Sequence, residues 1–274
     1  MARTRFGCVV MCLIGMLLPD IACTPALAED MTIYSAGTLR KALPELLEAF
    51  EVETGIHSTP LFGPSGLLRR EIERGHVPDV FASAIAAHPE ALQRAGIMKN
   101  SQIFARNTLC VIARPGIPLH ETHMLETLLD PSLRLGTSTP EADALGDYTW
   151  AVFRKAEALR PGAFHILDSK ALRLVGGEIA PSKRVSPAEL LGDNGSADLF
   201  ISYCTGTAAT LKAVPGSTAT ALPEALTVPV ELGIASRVHA DQRAEQFIQF
   251  VVGDKGQDIL ARHGFLRRSD AAAR

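Results

Sequence analysis

Residues 32–75, TIYSAGTLRKALPELLEAFEVETGIHSTPLFGPSGLLRREIERG, alternate between short apolar runs and longer stretches with helical periodicity. The runs that end at Tyr34 and Phe62 predict β-strands, because each is short, apolar and followed by glycine-containing turn residues. Apolar residues then recur at helix spacing after each run, and these patterns end at Gly55 and Gly75. This β-α-β-α order is typical of an α/β fold built on parallel strands.

The same alternation continues along the rest of the chain, and it contains no repeat of 20–50 residues. Further strands are predicted at residues 80–82, 110–113, 134–136 and 199–203. Further helices are predicted after His88-Pro89 and around residues 149–159, 187–191 and 244–261. A chain of 274 residues with this order is long enough for two α/β lobes.

The composition argues against a nucleic-acid-binding protein. Twenty-seven Lys and Arg residues are balanced by thirty Asp and Glu residues, and the net charge is −3 with no basic block. Nucleic-acid binders normally carry a basic patch or stripe. Aromatic residues make up only 5% of the chain, which also disfavours a surface that stacks on bases.

The first 28 residues resemble a cleavable signal peptide. A short positive start precedes an apolar run at residues 7–18, and Ala26-Leu27-Ala28 provides the small-x-small site of signal peptidase. We therefore predict a mature chain that starts at Glu29 and is exported to the periplasm. An uncleaved membrane anchor and a lipid attached to Cys23 are the two alternatives.

Two cysteines, Cys110 and Cys204, remain after this cleavage. An oxidising compartment would allow them to form a disulfide, but sequence alone does not show whether they lie close enough. The interpretation favoured at this stage is two buried free thiols in separate strands.

Two turns in the opening stretch share one design. Each follows a predicted strand, contains glycine, and places a hydroxyl residue, Thr38 or Ser65, at the start of a helix. The first N–H groups of a helix lack intrahelical partners and carry a partial positive charge, so two such turns at one sheet edge can bind an anion. The alternative is that Thr38 and Ser65 only cap their helices.

Motifs for catalysis are poorly represented. Ser65 lies in GPSGL, which does not match the G-x-S-x-G turn of serine hydrolases, although His88 or His57 could in principle activate it. Residues 120–123, HETH, are one residue short of the H-E-x-x-H zinc motif and are interpreted as a solvated loop. We therefore expect neither enzymatic activity nor a resident cofactor.

Four segments together resemble bacterial molybdate-binding proteins, the periplasmic components of molybdate ABC transporters. They are YSAGTLRKALPELLEAFEVETG, LFGPSGLLRREIERGHVPDVFASA, IFARNTLCVIARPG and FIQFVVGDKGQDILARHGF, and the resemblance extends over residues 32–266. It implies the type II solute-binding fold: two α/β lobes, each a mainly parallel sheet flanked by helices, joined by two crossing segments. Lobe one would comprise residues 29–106 plus 237–274, and lobe two residues 107–236.

The resemblance also implies which residues bind the ligand. The hydroxyls of Thr38 and Ser65, the backbone N–H of Leu145, the side chain of Tyr203 and a backbone contact near Val185 would surround a tetrahedral oxyanion. Molybdenum would thus be held indirectly, as molybdate or tungstate. The implied partner is an inner-membrane ABC permease, and the protein itself is expected to be a monomer.

Two positions bear on the ligand's coordination. Archaeal tungstate and molybdate relatives add two carboxylates to the metal, and Asp143 matches one of them, whereas Ser202 stands at the other. The missing carboxylate favours a tetrahedral anion held by hydrogen bonds. The alternatives are another oxyanion or a small organic acid on the same fold, and, more remotely, a secreted serine hydrolase.

Overall fold

The computed structural model describes residues 30–179 and 185–270 of the chain. The predicted signal peptide, residues 1–28, lies outside these residues. Within them, no helix combines the length and the apolar character needed to cross a membrane.

Strands and helices alternate along the described chain, as the sequence predicts. The strands are β1 (Met31–Ala36), β2 (Ser58–Gly63), β3 (Val80–Ser83), β4 (Met98–Asn107), β5 (Leu109–Ala113), β6 (Leu135–Ser138), β7 (Ala171–Val175), β8 (Leu199–Tyr203), β9 (Thr218–Ala221), β10 (Val230–Arg237) and β11 (Leu266–Arg267). The α-helices are α1 (Ala42–Thr54), α2 (Ser65–Glu73), α3 (Ala87–Arg94), α4 (Met124–Leu129), α5 (Ala144–Leu159), α6 (Ala163–Lys170), α7 (Pro187–Leu191), α8 (Thr207–Ala213), α9 (Gln242–Val252) and α10 (Asp254–Arg262).

The strands form two sheets, and the predicted two-lobed α/β fold is confirmed. The first sheet has the order β11-β4-β10-β3-β1-β2, and the second has the order β7-β6-β8-β5-β9. Both sheets are mixed rather than mainly parallel. Parallel pairing is confined to β1 with β2 and β3 in the first sheet, and to β6 with β7 and β8 in the second. The remaining pairs are antiparallel because β10 and β11 run opposite to the other strands of the first sheet, and β5 runs opposite to the other strands of the second.

The expected second boundary between the lobes, at residues 236/237, needs correction. β10 pairs with β4 from Val230 to Arg237 and with β3 from Gly233 to Ser236, so it belongs to the first sheet. The second crossing therefore precedes Val230. The sequence did not predict β10 or β4, which are the two longest strands, at eight and ten residues.

The C-terminal helices pack on the first lobe. The ring of Phe50 in α1 contacts Phe247 of α9 edge-on, with centroids 5.2 Å apart. The predicted helix at 244–261 is in fact two helices, which meet at an extended Gly253. A Cβ on Gly256 would lie 2.4 Å from the carbonyl oxygen of Phe250, so this helix junction requires a glycine there.

Cys110 and Cys204 form a disulfide, so the interpretation of two free thiols was wrong. β5 and β8 are antiparallel neighbours in which Cys110 lies opposite Ser202. Cys204 begins a 3-10 turn directly after β8, and the turn brings its Cα to within 5.0 Å of the Cα of Cys110. The sequence could not show this proximity because 94 residues separate the two cysteines.

Removal of this disulfide should destabilise the second lobe. A cross-link across 94 residues restricts the unfolded chain strongly, and the loss of such a bond typically costs about 2–5 kcal/mol. We expect the Cys110→Ala/Cys204→Ala variant to show a correspondingly lower free energy of unfolding in urea. Reductant should lower the stability of the wild-type protein by a similar amount and leave the variant unchanged. Equal urea midpoints for the variant and the wild-type protein without reductant would contradict this assignment.

Candidate functional site

Three parallel strands end at the edge of the first sheet that faces the second lobe. β1 and β2 are paired to their last residues, Ala36 with Gly63. Thr38 and Ser65 therefore each follow the paired strand ends by two residues. The structure thus places the two predicted hydroxyl residues at the same edge of the sheet, where ligands of α/β proteins commonly bind.

Ser65 is buried, and its role differs from that of a helix cap. The N-cap of α2 is Pro64, whereas the Ser65 Oγ accepts a hydrogen bond of 3.1 Å from the backbone N–H of Ala84. A hydroxyl that accepts one bond can still donate its own proton. Thr38 lies within a 3-10 turn, Gly37–Leu39, and its side chain makes no hydrogen bond within the described chain. Capping therefore does not account for either residue.

The start of α5 is the part of the second lobe that faces these strand ends. Asp143 is the N-cap, and its Oδ1 accepts a hydrogen bond of 3.3 Å from the Leu145 N–H. Its Oδ2 accepts a bond of 2.8 Å from the hydroxyl of Ser138 at the end of β6. Burial raises the pKa of Asp143, although these two hydrogen bonds act in the opposite direction. The Leu145 N–H, predicted to bind the anion, is thus bonded to a carboxylate of the same chain.

Tyr203 ends β8 beside this helix start. Its side chain is 7% exposed, and its hydroxyl has no hydrogen-bond partner among the described residues. Burial raises the pKa of Tyr203 well above its ordinary value, and the negative charge of the Asp143 carboxylate raises it further. The hydroxyl therefore stays protonated. Its ring meets that of Tyr148 edge-on at 6.4 Å. A buried hydroxyl without a partner is costly, which makes this group a candidate donor to a ligand.

The two lobes touch directly between α2 and the loop before α5. The backbone N–H groups of Gly66 and Leu67 both donate to the carbonyl oxygen of Ala142, at 2.9 and 3.1 Å. A Cβ on Gly66 would lie 2.1 Å from the carbonyl oxygen of Glu141, so only glycine allows this approach. Two first-turn donors of α2 are therefore used by the second lobe. The hydroxyls of Thr38 and Ser65 are candidate donors on this side.

A second contact joins the lobes on the far side of α5. The hydroxyl of Tyr148 donates to the carbonyl oxygen of Glu231 at 3.1 Å and accepts from its N–H at 3.0 Å. Glu231 belongs to β10, in the first sheet. Tyr148 therefore ties α5 to the other lobe, a role that the sequence analysis missed because both of its partners are backbone atoms.

No contact among the described residues joins Val185 to this junction. It precedes α7, its side chain is 40% exposed, and no described contact joins it to the other four predicted residues. Residues 180–184, which precede it, lie outside the described chain. The structure therefore brings together Ser65, Leu145 and Tyr203, with Thr38 at the same edge, and leaves Val185 apart.

A serine hydrolase requires a histidine that is hydrogen-bonded to its serine, and Ser65 has no such partner among the described residues. Neither ring nitrogen of buried His88 has a hydrogen-bond partner, and its Nε2 lies 4.0 Å from the Asp147 Oδ2. Burial lowers the pKa of His88 to about 4. His57 pairs with Glu51 on the surface at 2.8 Å. Neither histidine contacts Ser65, and the described chain groups no three His, Cys, Asp or Glu side chains that could hold a metal.

Several curated proteins resemble this chain. "Uncharacterized protein PM1146" of Pasteurella multocida is 39% identical over 181 residues, which cover 63% of this chain and 73% of the relative. "Molybdate-binding protein ModA" of Escherichia coli is 26% identical over 254 residues, which cover 88% of this chain and 91% of the relative.

Solved structures share the fold at lower identity. The periplasmic molybdate-binding protein of Azotobacter vinelandii gives a TM-score of 0.68 at 20% identity, with 86% of this chain and 99% of that chain covered. The sulfate-binding protein SubI of Mycobacterium tuberculosis gives 0.73 at 18% identity, with 89% and 88% covered. AfuA of Actinobacillus pleuropneumoniae, solved with fructose-6-phosphate, gives 0.67 at 15% identity, with 86% and 82% covered.

These three neighbours bind different ligands, namely molybdate, sulfate and fructose-6-phosphate, so the likeness establishes the fold and leaves the ligand to the chemistry of the site. The chain also matches a family over most of its length. Residues 31–266, which include both sheets and the whole lobe junction, match the family described as bacterial extracellular solute-binding protein. The chain belongs to the bacterial extracellular solute-binding proteins.

Proposed function

We propose that this protein binds molybdate, or the equally charged tungstate, between its two lobes. The observation that carries the proposal is the buried hydroxyl of Tyr203, which has no partner within the described chain. It lies beside the start of α5, and the junction also contains Ser65 on the opposite lobe. These are neutral donors of the kind that bind an oxyanion.

Neutral donors at fixed positions can also select an anion by size. Molybdate and tungstate are larger tetrahedra than sulfate and carry the same charge. A smaller ion would leave one or more buried donors without a good hydrogen bond, and each such donor costs free energy. The similarity to molybdate-binding ModA over 88% of this chain supports the same ligand.

The transport role follows from the family. We propose that the mature chain, released by cleavage after Ala28, is a periplasmic monomer that delivers its anion to an ABC permease in the inner membrane. The disulfide between Cys110 and Cys204 agrees with an oxidising compartment. No catalytic step is required for this role.

A second candidate is a larger organic anion. A cavity of about 370 Å³ adjoins the start of α5 and is lined by Glu141, Asp147, Trp150, Arg154 and Arg173, with Pro140 at its edge. Its two arginines could bind a phosphate or carboxylate group. The sugar phosphate bound to AfuA, on a similar fold, is an anion of this kind.

The first test is a thermal-shift screen of the mature protein against molybdate, tungstate, sulfate, phosphate and fructose-6-phosphate. A ligand that binds only the folded state at a hundredfold excess over its Kd adds about 2.7 kcal/mol of stability. We expect the largest rise in Tm with molybdate or tungstate. A rise confined to fructose-6-phosphate would favour the second candidate, and no rise with any anion would contradict both.

The second test removes the two hydroxyls one at a time. Tyr203→Phe deletes a buried group that has no partner, so the Tm of the unliganded protein should stay the same or rise slightly. The affinity for molybdate should fall about ten- to hundredfold, since a hydrogen bond to a charged group is worth about 1.5–3 kcal/mol. Tyr34→Phe, which removes the hydroxyl of a partly buried tyrosine in β1 that is not among the predicted site residues, is the matched control and should leave both values unchanged.

Ser65→Ala should lower both affinity and stability, because it also leaves the Ala84 N–H without its acceptor. The expected loss of stability is about 1–3 kcal/mol. Calorimetric titration and urea unfolding measure the two effects separately. Unchanged affinity in both Tyr203→Phe and Ser65→Ala would contradict the proposed site.

A further inference from the structure

An arginine lies at the edge of the first sheet that carries Thr38 and Ser65. Arg40 follows Thr38 by two residues, directly after the 3-10 turn Gly37–Leu39. Its backbone N–H donates to the carbonyl oxygen of Gly37 at 3.3 Å, which closes that turn. The residue is partly buried rather than extended into solvent. Arg40 therefore starts from one of the two turns that are proposed to bind the anion.

The guanidinium group of Arg40 reaches toward the second of these turns. One of its terminal nitrogens donates to the carbonyl oxygen of Phe62 at 3.3 Å, and its central carbon lies 4.7 Å from the centroid of the Phe62 ring. Its Nε lies 3.9 Å from the position that a Cβ on Gly37 would occupy. Phe62 is the penultimate residue of β2, and Gly37 directly follows β1. The positive charge is therefore held beside the carboxyl ends of both strands.

The two contacts with Phe62 fix this charge before any ligand arrives. A guanidinium group over an aromatic ring is attracted by the negative face of the ring, and the hydrogen bond to the carbonyl oxygen adds direction. Arginine keeps its charge at every physiological pH, and its guanidinium is more weakly hydrated than the ammonium of lysine. A charge that is already ordered contributes to binding without the entropy cost of ordering a long side chain.

A fixed charge discriminates between ligands in a way that hydroxyl donors do not. The positions of the hydroxyls of Ser65 and Tyr203 determine which size of anion forms good hydrogen bonds. The Coulomb energy between a fixed unit charge and a ligand is instead proportional to the charge of that ligand. A dianion therefore gains twice as much from Arg40 as a monoanion of the same shape at the same place.

We infer that Arg40 makes the site selective for doubly charged over singly charged oxyanions. The inference rests on the proposed function and adds to it a specificity-determining residue that the sequence analysis did not identify. The hydroxyl groups select the size of the anion, and Arg40 selects its charge. Perrhenate is a suitable probe, because it is a tetrahedral oxyanion of nearly the same size as molybdate and tungstate but carries a single negative charge.

The experiment compares the full mature protein with its Arg40→Gln variant. Calorimetric titration gives the affinity for molybdate, and displacement of molybdate gives the affinity for perrhenate. The affinity for molybdate should fall about tenfold, as expected for the loss of one charge several ångström from the anion. The affinity for perrhenate should fall only about threefold, because half the free energy corresponds to the square root of the fold-change.

Two further variants separate charge from positioning. Arg40→Lys keeps the positive charge but loses the planar group that stacks on Phe62, and it should retain most of the affinity for molybdate. Lys41→Gln is the matched control, because it removes the same charge from the next residue, which is exposed and makes no side-chain capping bond. It should change both affinities by less than about twofold, since solvent and salt screen an exposed charge. Urea unfolding without ligand reports the stability of each variant separately.

The outcomes separate this inference from the proposed function. Tight molybdate binding by the wild-type protein and equally tight binding by Arg40→Gln would overturn the inference and leave oxyanion binding intact. Equal fold-losses for molybdate and perrhenate, or equal losses in Arg40→Gln and Arg40→Lys, would show that Arg40 acts by position and would overturn the selection by charge.

Two other results are equally decisive. A comparable loss in Lys41→Gln would show a general effect of surface charge and would overturn the assignment to Arg40. If perrhenate displaces molybdate from none of the proteins, the comparison of Arg40→Gln with Arg40→Lys decides between charge and position. Absence of molybdate and tungstate binding by the wild-type protein would overturn the proposed function and the inference together.

Discussion

The carbonyl oxygen of Ala142 accepts hydrogen bonds from two consecutive N–H groups, those of Gly66 and Leu67, at the start of a helix in the other lobe. This contact brings the lobe junction together at the level of the backbone, where a side chain on Gly66 would not fit. The loop that provides the carbonyl leads directly into Asp143 and α5. The positions of Leu145 and Tyr148 therefore depend on the same contact.

The chemistry of the junction follows from how its donors are used. Helix starts usually offer free N–H groups to an anion, but here those of α2 are bonded to Ala142 and that of Leu145 is bonded to Asp143. Side-chain hydroxyls are then candidate donors, and the one on Tyr203 is buried with no partner among the described residues. An oxyanion held by such hydroxyls would be recognised by its size and by the positions of its oxygens.

Much of the fold could be predicted from local sequence, and the reasons are physical. The helical spacing up to Gly55 and the short strands before each glycine turn depend on neighbouring residues, and they are found where expected. The direction of β4 and β10 depends on pairing between segments over a hundred residues apart, and the sequence missed both strands. The prediction of two free thiols was wrong for the same reason, since the turn after β8 determines where Cys204 lies.

Some residues of the candidate site could likewise be predicted from local sequence, and others could not. Thr38 and Ser65 could be placed because each follows a strand end, and Tyr203 because it ends β8, although their role in binding stays a prediction. The two hydrogen bonds between the Tyr148 hydroxyl and the Glu231 backbone could not be predicted from either residue alone. Val185 was placed by resemblance only, in a segment without strong periodicity, and the structure leaves it outside the junction.

The central claim is that an oxyanion binds at this lobe junction in contact with Tyr203. A crystal structure of the mature protein with tungstate tests it most directly, because the anomalous scattering of tungsten locates the ion independently of the protein. We predict one strong peak between the lobes, with tungstate oxygens within hydrogen-bond distance of the hydroxyls of Tyr203 and Ser65. A peak only in the cavity lined by Arg154 and Arg173, or no ordered tungstate at the junction, would contradict the account.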